Sequence, residues 1–223
     1  MKFAIKTLSA ALLAGAALTA LPANAQVAGI ATLDTTDAIM QTKAFAQAYQ
    51  QIGTTFTSNS QMIQTKRKEI NDINAQLDTN KDKNLTQEEL DAAIKAKNPL
   101  LTQLEAKERE IAQLQQPIVT AQAFAVESIA DRYAAAQQQV ITQKKINMIL
   151  APDAFIWAPE AVDVTKAVTA ALDLAVPSVG ITPPANWQPK QSTGGLYEQI
   201  QQRLLTAARV QAIRNAQAQQ ATQ

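Results

Sequence analysis

Two long segments, each with apolar side chains on a heptad stripe and joined by a short polar stretch, constrain this 223-residue chain more than any other feature. In 36–77, which has no proline, the stripe is Tyr49, Ile52, Phe56, Ile63, Ile70, Ile73 and Leu77, with Asn59 and Lys66 at two stripe positions. In 99–143 it is Leu104, Ile111, Leu114, Ile118, Ala125, Ile129, Tyr133 and Val140. A three-four spacing of this kind is the seam of a coiled coil. Two such helices linked by a polar turn fold back into an antiparallel hairpin. The 42 residues of 36–77 would make an arm about 60 Å long at ~1.5 Å rise per residue.

The expected fold class is therefore α+β, mainly α, with a long helical hairpin on a small body. The body comes from what flanks the hairpin. A short apolar strand is expected at 27–33, followed by the N-cap candidates Asp34-Thr35-Thr36. Beyond the second arm, two apolar runs at 146–150 and 154–157 flank Pro152-Asp153 and read as a strand pair. An amphipathic helix is expected at 163–176. The remaining 177–223 reads as a proline-rich linker and a Gln/Ala-rich helical tail.

Pairing the arms about the turn sets Leu77 near Leu100 and Ser60 near Pro117. Pro117 removes a helical hydrogen bond, and the poor helix formers of 53–60 lie opposite it. A bend or hinge is expected at that height.

Residues 1–25 carry the pattern of a secretory signal. Lys2 and Lys6 precede an Ala/Leu-rich run, and Ala23-Asn24-Ala25 supplies small residues before a cut at Gln26. The run is too short for a membrane span, and no later segment is apolar enough for one, so no transmembrane segment is expected after cleavage. Without Lys2 and Lys6, the 20 basic residues fall to 18 against 19 acidic ones. That balance argues against nucleic acid as a partner. The chain has no Cys and no His, so it lacks disulfides and the commonest general base. No catalytic constellation is visible, and an enzyme is not expected.

The turn of the hairpin carries a metal-site pattern. In Asp78-Thr-Asn80-Lys-Asp82-Lys-Asn84-Leu-Thr86-Gln-Glu-Glu89, Asp78, Asn80 and Asp82 match positions 1, 3 and 5 of an EF-hand loop. Asn84 and Thr86 match positions 7 and 9, and Glu89 is the bidentate carboxylate of position 12. These hard oxygen donors suit Ca2+. Lys83 stands where a glycine normally makes the sharp turn. Thr86 and Glu89 also form a capping-box pattern that any exposed turn could carry. Lys66-Arg67-Lys68 and Lys107-Glu-Arg-Glu110 read as solvated helix faces, and Trp157 and Trp187 as packing residues.

The order of strand, helical hairpin, strand pair and closing helix resembles the Skp/OmpH family of periplasmic chaperones. The residues that carry the resemblance are the strand running into Asp34-Thr-Thr-Asp37, the heptad hairpin, and Ile146-Asn-Met-Ile-Leu-Ala-Pro-Asp-Ala-Phe-Ile-Trp157 with Ala161-Val-Asp-Val-Thr-Lys-Ala-Val168. The resemblance spans 26–176. It implies a homotrimer whose strands form a β body and whose hairpins hang as tentacles around a cavity. It also implies a periplasmic, ATP-independent holdase for unfolded outer-membrane proteins. A calcium-binding envelope scaffold or sensor built on the tip loop is the alternative expectation.

Overall fold

The computed structural model describes residues 29–220. The proposed signal segment and the first residues of the strand expected at 27–33 lie outside them.

The body starts with β1 (Ile30–Thr32), which pairs in parallel with β2 (Met148–Leu150), Ile30 opposite Met148 and Thr32 opposite Leu150. A turn carbonyl anchors the pair, because the Gly29 C=O accepts from the backbone N–H groups of Asn147 (2.7 Å) and Met148 (2.8 Å). Gly29 has φ +84°, and an added Cβ would lie 2.4 Å from Asn147 Nδ2. Glycine alone fits there. On its other edge β1 bridges to Asp163, and Val164 N donates to Thr32 O at 2.9 Å.

The outgoing arm runs through three helices, α1 (Thr35–Met40), α2 (Lys43–Thr55) and α3 (Thr57–Leu77). Each break has a local cause. Asp34 caps α1 by accepting from Asp37 N, and Thr42 caps α2 by accepting from Phe45 N. At Phe56, Thr57 Oγ1 donates to both Gly53 O and Thr54 O, a side-chain bond to the preceding turn that bends helices. The return arm is α5 (Pro99–Ala130), capped by Asn98 with Pro99 in its first turn, and then α6 (Tyr133–Lys144). Between the arms lies α4 (Gln87–Lys95). The stripe residues of both arms are buried or half-buried. α3 packs chiefly on α5, with lesser contact to α2 and α4.

The body core joins Ala38, Ile39, Val126, Ile129, Val140, Val168, Leu172 and Ile200. Burying each of the larger side chains contributes roughly 1.5–3 kcal/mol. Here α7 (Thr165–Ala175) packs on α6 and α1. The last helix, α8 (Gln191–Gln220), returns to the body through Thr193, Leu196, Tyr197 and Ile200, and its side chains are exposed from Leu205 onward.

The structure differs from the sequence expectation at 154–157. This run forms no strand, and the tight hairpin is absent; a short 3-10 turn spans Pro152–Ala154. Ile156 is fully exposed and Trp157 is 78% exposed, so Trp157 is not a packing residue within this chain. Strand-forming side chains mark a segment as fit for a sheet, but a strand also needs a backbone partner. Among the described residues β1 and β2 provide none for it.

Candidate functional site

The candidate surface is the pair of arms, from the tip to the root. At the tip Glu89 organises the loop. Its Oε1 accepts from Thr79 N (2.8 Å), Thr79 Oγ1 (2.9 Å) and Asn80 N (3.2 Å), and its Oε2 from Thr86 N (3.0 Å) and Thr86 Oγ1 (2.9 Å). The backbone N–H of Thr86 first, then the Thr79 hydroxyl and the Asn80 N–H, hold the Glu89 carboxyl down at about 2. Asp78 accepts from Lys81 N at 2.7 Å and Lys83 N at 2.8 Å. Asp82 accepts from Asn84 N at 2.8 Å, and Asn80 Oδ1 accepts from Asp82 N at 2.9 Å. Lys81 (φ 62°) and Lys83 (φ 68°) take left-handed backbone, so a lysine does adopt the turn that glycine usually makes.

Five of the six sequence-predicted ligand residues, Asp78, Asn80, Asp82, Thr86 and Glu89, thus commit side-chain oxygens to donors of the loop itself. Asn84 joins through its backbone N–H. Among the described residues no three acidic side chains converge as a metal cluster. Beneath the loop, Ile73, Leu77 and Ala93 pack with Leu85, Leu100 and Leu104 and close the end of the hairpin.

Halfway up, four charges alternate across the arms. Lys66 Nζ lies 2.8 Å from Glu110 and 3.3 Å from Glu69, and Lys107 Nζ lies 2.8 Å from Glu69. Lys66 and Lys107 are thus half-buried pairs across the seam rather than solvated faces, whereas Arg67, Lys68, Glu108 and Arg109 are exposed. A lysine on the apolar stripe, where Lys66 sits, is the sign that it reaches across the seam. Pairing holds the carboxyls of Glu69 and Glu110 below their ordinary range. Exposed apolar side chains, Met62 and Val119 on the arms and Ile94 at the tip, are scattered rather than gathered in one patch.

At the root, α5 presents Glu127, only 7% exposed. Burial would raise its carboxyl, but hydrogen bonds from Thr193 Oγ1 (2.5 Å), Lys190 N (2.8 Å) and Trp187 Nε1 (3.1 Å) outweigh that and leave it below the ordinary range. Lys190 also pairs with Asp131. Trp187 meets Phe124 edge to face, with ring centroids 5.3 Å apart. Arg203 of α8 bridges to Asp34 (2.7 Å) and to Asp37, and Tyr197 donates to Gln122 at 2.7 Å. The segment that follows α7 is thus fastened to the hairpin root through Trp187, Lys190, Thr193, Tyr197 and Arg203. Sequence reasoning missed Glu127; its signal was one acidic residue amid Ala123, Ala125, Val126 and Ile129.

The sequence profile of OmpH-like outer membrane proteins matches residues 29–172, and the chain belongs to this family. It is also similar to the crystal structure of an OmpH-like protein from Caulobacter crescentus CB15, a candidate outer membrane chaperone. The two are 20% identical, with a TM-score of 0.45, over 68% of this chain and 87% of that one. No protein of curated function matches the sequence. Family membership therefore rests on the profile match, and it ends just before the fastened C-terminal segment begins.

Proposed function

We propose that this protein is an ATP-independent holdase of the periplasm, exported by its N-terminal signal. In this reading it keeps unfolded outer-membrane β-barrel proteins soluble between the arms of a homotrimer. One observation carries the reading: the two arms pack on each other as a long helical pair, and Met62, Val119 and Ile94 are isolated exposed apolar side chains on it. Scattered side chains of this kind offer weak, unshaped contacts, and three copies of the hairpin would multiply them, which suits a client with alternating apolar residues and open strand edges. Family membership supports the chaperone role. The unpaired Phe155-Ile156-Trp157 run supports the assembly, since two short strands are too few for a stable sheet. Light scattering should give three times the mass of the processed chain. An unfolded outer-membrane barrel diluted from urea should stay soluble at one trimer per client; aggregation at that ratio sinks the proposal.

A second reading concerns the tip. We propose that Asp78, Asn80, Asp82, Asn84, Thr86 and Glu89 take Ca2+. The register of these residues supports it, as does the left-handed backbone at Lys81 and Lys83. Glu89 would exchange five hydrogen bonds for the metal, so the expected affinity is weak, in the roughly 10⁻⁴–10⁻³ M range of extracellular sites. Calorimetry on the full chain should show saturable heat that Glu89→Gln abolishes. No heat at millimolar Ca2+ leaves the loop a metal-free cap.

A further inference from the structure

Between α2 and α5, just rootward of the break at Phe56, Ala48, Ile52, Ala121 and Ala125 form an apolar floor, with Phe56 and Ile118 at its rim. No helix covers it. Its cover is Ile181, 8% exposed, with Val179 beside it. Both belong to residues 176–190, a strap that joins α7 to α8 without regular secondary structure. Among the described residues, no backbone–backbone hydrogen bond ties 178–186 to either arm. Over 178–187 the strap is held by side chains, Ile181 and Val179 on the floor and Trp187 against Phe124 and on Glu127; beyond them the backbone N–H of Lys190 also donates to Glu127. Pro183 and Pro184 favour an extended course.

We propose that this floor is a binding site for an extended apolar polypeptide segment, occupied here by the chain's own strap, which an incoming client displaces. The inference rests on the holdase reading and gives it a place and a competitor. Three observations converge on it. The floor is built largely of alanines, so it receives apolar side chains of different shapes without demanding one. The grip uses no backbone pairing, so it does not depend on the occupant's register. Ile181 and Val179 pack on the floor and its rim as one apolar cluster, and apolar surface left open there is the kind that recruits partners or aggregates. A tethered strap covers it at high effective concentration and yields only to a segment that binds better. The anchor at Lys190 and Thr193 lies beyond the strap's apolar part, so 176–186 can swing out while α8 stays docked.

The test uses the full chain and a fluorescent synthetic peptide of residues 176–190, followed by anisotropy. Two variants loosen the strap. Ile181→Ser removes its anchor on the floor, and Trp187→Phe keeps a ring near Phe124 but loses the bond to Glu127. Each should bind the peptide more tightly than the natural chain, Ile181→Ser by about tenfold, because the competing closed state taxes apparent affinity. Equal or weaker binding in both folded variants overturns the proposal and makes the strap a fixed part of the body. If either variant fails to fold, the unmodified chain decides. Excess peptide should speed amide exchange at 178–182, and unchanged exchange overturns the proposal. Aggregation suppression with no peptide gain removes the strap site alone. Peptide gain without aggregation suppression removes the holdase reading alone.

Discussion

Asn59 on the outgoing arm donates through Nδ2 to the backbone carbonyl of Leu114 on the return arm, at 3.1 Å. Pro117, which has no N–H, leaves the carbonyl of Gln113, next to Leu114, without its helical partner. A polar residue on the apolar stripe thus serves the backbone at the point where the helix is weakest. Asn59→Leu should lower stability by about 1 kcal/mol, the typical worth of one such bond, although leucine suits the seam better. Urea unfolding measures it.

At the tip the carboxylate of Glu89 has a folded pKa near 2, below its unfolded value. Its contribution is present above the ordinary carboxylate range and disappears as pH falls through about 2. Amide exchange at Thr79, Asn80 and Thr86 should stay slow at pH 4, while Glu89→Ala should expose all three at neutral pH. Fast exchange at pH 4 in the natural chain would contradict this arrangement.

Glu127 titrates in the same sense, its pKa lowered by three donors against burial. The anchor should hold at neutral pH and loosen only below the ordinary carboxylate range. Glu127→Leu leaves the Trp187, Lys190 and Thr193 donors unpaired and should cost roughly 2–3 kcal/mol. Chemical denaturation gives the size, and a change in Trp187 emission in a Trp157→Phe background gives the site.

The charge quartet fixes the register of the arms more than their stability, since such half-exposed pairs are screened. Lys107→Glu should lower the melting temperature and Glu69→Lys in the same chain should recover most of the loss. The difference should fade in high salt. A loss that salt leaves unchanged would mean packing, not charge, is responsible.

Much of the hairpin was legible because a heptad stripe is a local property. Tyr49 through Leu77 and Leu104 through Val140 face inward as their spacing requires. The tip was half legible: Thr86 and Glu89 form the capping box, and the remaining loop residues could be named but not their preference for each other's donors. Phe155-Ile156-Trp157 has the composition of a strand, but pairing is decided by whichever edge lies within reach. Glu127 was invisible because its partners come from 60 or more residues further on. Nothing near it in sequence announces them.

The parallel pairing of β1 with β2 has a kinetic side. Ile30 meets Met148 across nearly the whole hairpin, and closing so large a loop from an open chain is slow. The arms remove that obstacle if they zip from the capped tip toward the root, since each paired turn shortens the remaining span. The tip is then the origin from which the body is brought together. Trimming equal turns from both arms should leave the body able to form, whereas deleting the tip should slow its formation most of all.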